Sequence, residues 1–534
     1  MAGRKAASRF AAFFLLTAAV ALFYLTVWSL DPASTSQASL SAWPDAAEYL
    51  DGALQLANQG QFRIHVAGQE WPSRYPFGMS LLQAGLLKLG VQPLQAPYLL
   101  NKAAGLLLLL SVFAVMAWRG HLLAGGLAAL LLSTRTSFII LSRSPMSEIV
   151  TMLAVFWALA ALYRYSQGGA LWMGLAGTCL LSLTTGFRLS SILLFGFPAA
   201  ALMAQAKWDA RAILGQGWRL AAAGLAGLAP VLIYQWTVFG AAWKTGYGYW
   251  LNRGGDLDIM FGSRYLGRNL NRLWEEFVQD ESMGSVASLF GEGSYYAPAY
   301  ALFCLLSAAV IWKRPAARWF GAAALIFTAM VLFYSFGTGR QYFPLLVLSV
   351  PWTAYAWTRF CNRALEERRW IRTSFASVFL LTVLVGWPGS RSDSDMGDMF
   401  RTLPLQVPSW PYRAASLMVA QGPDAKLLLT EMNPTYLHAM TCCRHWVAPL
   451  QNEHDYRHNP QNLIFGDAER DQLIQEAMQQ GREVYAATAY YPIERLDKAC
   501  AAPQGMVWQV FWHNRVGGGL AQLVRVSRQG PAQK

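Results

Sequence analysis

The sequence is short of charge. Only 14% of its 534 residues are Asp, Glu, Lys or Arg, against about 25% in ordinary soluble domains. With 54% of residues hydrophobic, this excludes a chain that is soluble throughout and points to a membrane protein with some soluble mass. Cysteine is scarce as well. The six present do not have the spacing of a disulfide scaffold, and Cys179, Cys304 and Cys361 lie in or beside apolar runs, where a thiol acts as a small hydrophobe. The chain lacks a zinc-type Cys/His spacing, a Walker loop and a GxGxxG following a strand. It has no internal repeat and no long low-complexity tract. The charge that is present is lopsided, 43 Lys and Arg against 30 Asp and Glu, a net +13. The basic residues sit at the ends of apolar runs, as topology signals do. Anionic headgroups or a lipid phosphate are therefore the expected partners, and nucleic acid is not.

What the chain has is long apolar runs. Phe10–Leu30 follows Arg4, Lys5 and Arg9, and its roughly 20 residues suffice to cross a bilayer. Asp31-Pro32 makes a poor cleavage site, so the run reads as an uncleaved first span with its basic end inside. Tyr75–Leu89 is amphipathic and short, and reads as a helix on the outer surface. Further spans are expected at Tyr98–Trp118, Leu122–Ser133, Ile149–Tyr163, Leu171–Thr185, Ile192–Met203, Leu220–Phe239, Pro298–Trp312, Phe320–Phe336, Tyr342–Trp357 and Phe375–Trp387. Ser133–Glu148 reads as a polar knot, and Lys207, Arg211 and Arg219 as a basic inner loop. The total is about 11 spans, with the N-terminus cytoplasmic and the C-terminus outside. Outer loops are also rich in arginine, which suits an anionic ligand.

Composition changes after residue 390. Gly389–Pro411 is a Ser/Asp/Pro-rich connector. Ala425–Thr430, Glu483–Thr488, Val507–Trp512 and Leu520–Val526 read as strands, and Asp467–Gly481 as a helix. The expected architecture is a mainly α polytopic bundle over residues 1–390, followed by an extracytoplasmic α/β domain over 391–534. Outside the cytoplasm, Cys442 or Cys443 could bond to Cys500. His438 and His445 near those cysteines lack a carboxylate at ligand spacing, and no metal site is expected there.

The chemistry gathers at the outer ends of the runs. Asp45, Glu48 and Asp51 fall within seven residues of SAWPDAAEYLDGALQLANQG, with Asp45 and Glu48 on one helical face. Arg74 lies in SRYPFG, Arg143 and Glu148 in SRSPMSE, Arg188 in TGFRLSS, and Arg340 and Tyr342 in GTGRQYFP. Arginine's planar fork matches phosphate oxygens, and a carboxylate nearby can take a proton from a hydroxyl. Each residue has a plainer alternative. Asp45 suits a helix N-cap. Glu48 can pair with an arginine, and Arg143 with Glu148. Asp51 suits a solvated face. Arg135, Arg188 and Arg340 can snorkel to headgroups, the preferred reading for Arg135. Lys244 and the tyrosines of TGYGYW can line a groove or form an interfacial belt.

Four stretches together carry a resemblance: PDAAEYLDGALQLANQG, SRYPFGMSLLQAGLLKLG, LSRSPMSE and RQYFPLLVLSVP. In this order and spacing the chain resembles the polytopic GT-C glycosyltransferases, in particular the branch of the protein O-mannosyltransferases and lipid A aminoarabinose transferases. The resemblance implies an inverting transfer from a polyprenyl-phosphate sugar to a lipid, glycan or protein acceptor, on the non-cytoplasmic face of what would be a bacterial inner membrane. It implies Asp45 as general base with Glu48 beside it. Arg340, with Arg143 or Arg188, would hold the departing phosphate, and Arg74, Glu148 and Tyr342 would complete the substrate site. No cofactor or metal is implied. The sequence departs from the family in one respect: many relatives carry two adjacent acids, whereas Asp45 is followed here by Ala46 and Ala47. The alternative function is a transporter or flippase of lipid-linked sugars.

Overall fold

A bilayer core offers no water to satisfy backbone N–H and C=O groups, so an apolar run there must be helical. The computed structural model bears this out over the residues it describes: 2–29, 44–66, 69–251, 261–273, 314–334, 339–366, 425–430, 438, 445–450, 467–488, 502, 506–516 and 519–528. Among these, six helices are long and apolar enough to cross a membrane: Ala6–Trp28, Ala96–Trp118, Glu148–Ser166, Leu189–Ala206, Ala210–Phe239 and Pro315–Leu332. The chain is a mainly helical integral membrane protein with a C-terminal sheet. The stretches expected at 298–312 and 375–387, the connector 389–411, and Cys442, Cys443 and Cys500 lie outside the described residues.

The chain forms two compact units, the first from Met1–Asp31, Tyr98–Leu232 and Asp258–Arg401, the second from Pro32–Pro97, Ile233–Leu257 and Thr402–Lys534. In the first unit, helix α1 (Ala2–Phe23) continues as a π-helical segment, Tyr24–Ser29. The second unit then supplies α2 (Pro44–Gln59), a hairpin of β1 (Ile64–Val66) and β2 (Gln69–Trp71), and α3 (Gly78–Lys88). Back in the first unit come α4 (Ala96–Trp118), α5 (Leu122–Ser133), α6 (Thr136–Arg143), α7 (Glu148–Ser166), α8 (Leu171–Leu183), α9 (Gly196–Ala206) and α10 (Ala210–Phe239). Helices α11 (Gly246–Leu251), α12 (Leu266–Arg272), α13 (Pro315–Leu332) and α14 (Gly339–Glu366) follow. Small residues let the helices close up. A Cβ on Gly126 of α5 would stand 2.5 Å from the Ala12 carbonyl oxygen of α1.

Three sequence expectations shift here. The polar knot at Ser133–Glu148 contains a helix, α6, bent by 69° from α5. The break falls at Arg135, whose backbone is extended (φ −84°, ψ 132°). Arg135 itself is fully buried, donating to the Leu131 carbonyl and the Thr134 hydroxyl, so it does not snorkel. Helix α10 starts at Ala210, taking in Arg211 and Arg219 from the expected inner loop. Neither is a helix breaker, and the long side chains can reach outward from a helix.

The C-terminal part of the second unit holds a five-stranded sheet ordered β4-β3-β5-β7-β6. Its strands are β3 (Leu427–Thr430), β4 (Trp446–Pro449), β5 (Val484–Thr488), β6 (Met506–Val516) and β7 (Gly519–Arg528). β3 runs parallel to both β4 and β5, while β5–β7 and β6–β7 are antiparallel. Helix α15 (Asp467–Gln479) packs Leu473, Ile474 and Ala477 onto Leu427, Leu429 and Val484. It stops before Gly481, whose φ of +73° suits glycine. The strands and helix read from the sequence all form. The parallel edge strand β4 and the β1–β2 hairpin are additions.

Candidate active site

The second unit builds its site on α2. Pro44 opens the helix, where its missing N–H costs nothing. Asp45 follows in the first turn, near the positive end of the helix dipole. It therefore lies inside the helix, two places beyond the cap position. Ala46, Ala47, Leu50 and Ala53 are fully buried, and the Ser80 hydroxyl of α3 donates to the Tyr49 carbonyl at 2.8 Å. At Gly52 a Cβ would meet Phe62 at 2.4 Å, so the close approach of the following segment requires glycine.

The three acids of α2 have separate partners. The half-buried Asp45 accepts a hydrogen bond on Oδ1 from the Tyr75 hydroxyl. Burial holds the Tyr75 phenol well above its ordinary value of 10.0, which keeps it a donor. The ring of Tyr247 meets that of Tyr75 edge-on at 5.6 Å. Glu48 is fully buried. Its Oε1 receives Arg74 Nη2 at 3.1 Å, and its Oε2 receives the Arg74 backbone N–H at 3.1 Å and the Ser73 hydroxyl at 3.2 Å. Burial raises the Glu48 carboxyl above its ordinary value of 4.5, opposed by Arg74 and by these hydrogen bonds. Burial works against charge on Arg74 too. Tyr75, Glu48 and Asp45 outweigh it and hold the guanidinium above its ordinary value.

Asp51 is also fully buried, which overturns its reading as a solvated acid. Its Oδ2 accepts the His65 backbone N–H at 2.7 Å, and its Oδ1 lies 2.9 Å from His438 Nδ1. The His65 and His438 rings stack at 5.0 Å and 20°. Burial lowers the His65 imidazole from its ordinary value of 6.5, Asp51 works the other way, and His438 adds to the lowering. His445 takes no part in this cluster. Its Nδ1 accepts the Lys426 N–H at 3.2 Å.

The first unit has its own charged cluster. Glu148 opens α7 and is buried. Arg188 Nη1 lies 2.5 Å and Arg340 Nη1 3.8 Å from its Oε1. Arg340 Nη1 also lies 3.9 Å from the Met146 sulfur. The Asn101 side chain donates to the carbonyls of Ser144 and Met146, fixing the turn that leads into α7. Tyr342 is buried, and its hydroxyl donates to the Asn269 carbonyl at 2.8 Å.

No protein-family model matches the sequence, and no curated protein matches it. Solved structures do. ArnT from Cupriavidus metallidurans in the apo state superposes with a TM-score of 0.58 at 12% identity, over 96% of this chain and 97% of that one. The same protein bound to undecaprenyl phosphate gives 0.57 at 12% identity, with the same coverage. The Archaeoglobus fulgidus oligosaccharyltransferase tethered to an acceptor peptide gives 0.52 at 12% identity, over 91% of this chain and 69% of that one. The chain shares the fold of these solved structures.

On this shared frame, six of the residues singled out in the sequence fall into two sets, while Tyr342 bonds to the Asn269 carbonyl and Asp51 meets His65 and His438. Asp45, Glu48 and Arg74 come together in the second unit, and Glu148, Arg188 and Arg340 in the first. Glu48 takes the plainer of its two readings and pairs with an arginine. Glu148 is met by Arg188 and Arg340, a pairing that sequence proximity to Arg143 did not indicate. Tyr75 and Ser73, which flank Arg74 in SRYPFG, join the site as well, though no motif marks them. The signal available was the placement of a phenol and a hydroxyl beside a loop arginine. His65 is likewise unmarked, in a short RIHV run with the alternation of a strand.

Proposed function

We propose that the protein is an inverting membrane glycosyltransferase. It moves a sugar from a polyprenyl-phosphate donor to a hydroxyl of a lipid, glycan or protein acceptor, on the non-cytoplasmic face of a bacterial inner membrane. One observation carries the reading. Of the three acids on α2, Glu48 and Asp51 are fully buried and committed, while Asp45 reaches solvent with its carboxylate oriented by Tyr75. A carboxylate that is only half-buried and is oriented by a tyrosine hydroxyl suits a general base that takes a proton from a substrate hydroxyl. The presence of undecaprenyl phosphate on ArnT, which shares the fold, supports the donor class.

In the reaction the acceptor oxygen attacks the anomeric carbon as Asp45 takes its proton. The bond from that carbon to the phosphate oxygen breaks, and the polyprenyl phosphate leaves with the electron pair. Phosphate is a good leaving group, so no strong acid is required, unlike the two-carboxylate arrangement of glycosidases. Within the first unit, Arg188 and Arg340 carry guanidinium groups of the kind that suits a lipid phosphate. The Glu48–Arg74 pair positions the loop that brings Tyr75 to Asp45.

One feature favours the flippase alternative, the sharply bent α5–α6 pair, since broken helices line the sites of many transporters. Mass spectrometry of cell-envelope glycans from a deletion strain, paired with a detergent assay of the purified protein on polyprenyl-phosphate sugars, separates the two. A transferase gives a missing sugar in the envelope and turnover in detergent. Loss of the sugar without any turnover on the donors tested would favour transport.

A further inference from the structure

The proposed reaction makes no use of Asp51, His65 and His438. These three lie in the second unit and are brought together from α2, β1 and the segment that precedes β4. One ligand atom from each lies within 4.8 Å of the others. Two imidazoles and a carboxylate form a donor set for a borderline divalent cation of the zinc class. Magnesium and calcium prefer all-oxygen shells.

We propose that Asp51, His65 and His438 bind a zinc-class divalent cation that ties α2 to the C-terminal part of the chain. Three details of the geometry support it. First, tetrahedral zinc with bonds of about 2.0–2.1 Å holds its ligand atoms roughly 3.4 Å apart. One pair, Asp51 Oδ1 and His438 Nδ1, is 2.9 Å apart, and all three ligand atoms lie within 4.8 Å of one another, a range that brackets this spacing. Second, His65 Nδ1 is buried and has no hydrogen-bond partner among the described residues, an uncommon state for a ring nitrogen. A metal ion satisfies it. Third, the outer groups are arranged to orient the ligands. His65 Nε2 faces Glu70 Oε1 at 3.8 Å, in the manner of a carboxylate behind a metal-bound histidine. One oxygen of Asp51, Oδ2, is held by the His65 backbone N–H at 2.7 Å, and the other, Oδ1, is turned to His438 Nδ1 at 2.9 Å, on the side where the ion would sit. Three protein ligands leave a fourth position for water.

Spacing does not reveal this site, because its ligands lie at positions 51, 65 and 438. Its placement makes it a staple. Asp51 lies on the helix that carries Asp45 and Glu48, so the ion would fix that helix without touching substrate.

The test uses full-length protein purified in detergent without chelator. Elemental analysis is expected to find about one zinc per chain. After stripping with a chelator, titration with Co²⁺ should give the visible absorption band of a four-coordinate ion, which Zn²⁺ then displaces. Asp51→Asn, His65→Ala and His438→Ala should each weaken Co²⁺ binding by about 100-fold or more. Zn²⁺ should raise the thermal midpoint of the stripped wild type. Asp45→Asn should keep full metal content, which separates this site from the proposed catalytic one. The proposal is overturned if stripped wild-type protein shows neither the Co²⁺ band nor a Zn²⁺-dependent rise in midpoint, the result expected of a plain Asp51–His438 ion pair. It is equally overturned if the three variants bind Co²⁺ as the wild type does. Should a variant fail to fold, the wild-type titration decides alone.

Discussion

Arg74 meets Glu48 twice: its guanidinium Nη2 lies 3.1 Å from Oε1, and its backbone N–H lies 3.1 Å from Oε2. Both side chains are buried, and the neighbouring Tyr75 holds Asp45. A buried ion pair therefore sets the position of the residue that orients the proposed base. Breaking such a pair from one side leaves an uncompensated charge and costs about 3–5 kcal/mol.

Arg74→Met should accordingly lower stability by an amount of that order, seen as a fall in the thermal midpoint in detergent. Adding Glu48→Gln should recover part of the loss, because the stranded carboxylate is gone. A double variant less stable than Arg74→Met alone would mean the two side chains contribute independently.

The upward shift of Glu48 makes a prediction about pH. Its folded-state value lies above the ordinary 4.5, chiefly through burial, so the folded protein binds this proton more tightly than the unfolded chain. The corresponding stability is fully present below about pH 4.5 and is lost as pH rises through the raised value. Midpoints measured across that window should decline for wild type and decline less for Glu48→Gln. Identical slopes would remove Glu48 as the source.

Arg340→Ala should raise KM for the lipid-phosphate donor by about tenfold or more, the worth of a charge-assisted hydrogen bond, and leave KM for the acceptor nearly unchanged. Steady-state kinetics with each substrate varied in turn measures the split. Equal effects on both would argue against a phosphate role.

The parts of this protein that could be read from sequence are those written in local periodicity and charge. Hydropathy locates α4, α7 and α13 within a few residues, because each is one apolar run flanked by charge. The strands β3, β5, β6 and β7 are visible for the same reason, as short apolar runs between turn residues. The bend between α5 and α6 is not, since Thr134 and Arg135 carry no breaker signature and the turn is set by how Arg135 is buried. Asp45 and Arg74 stand out as unusual charges beside apolar runs. The burial of Asp51 does not, because it depends on His438, 387 positions away. Pairings at that distance are products of tertiary packing, and one sequence carries no signal for them. The same holds for Glu148, which meets Arg188 and Arg340 through the folding of three separate segments.

The central claim is that Asp45 is the proton acceptor. Its most direct test is the single-turnover rate of Asp45→Asn with a polyprenyl-phosphate sugar and an acceptor in detergent, on protein shown to melt as wild type does. The account predicts a fall on the order of 100- to 10,000-fold, with donor binding retained. A variant that transfers sugar at the wild-type rate would contradict it.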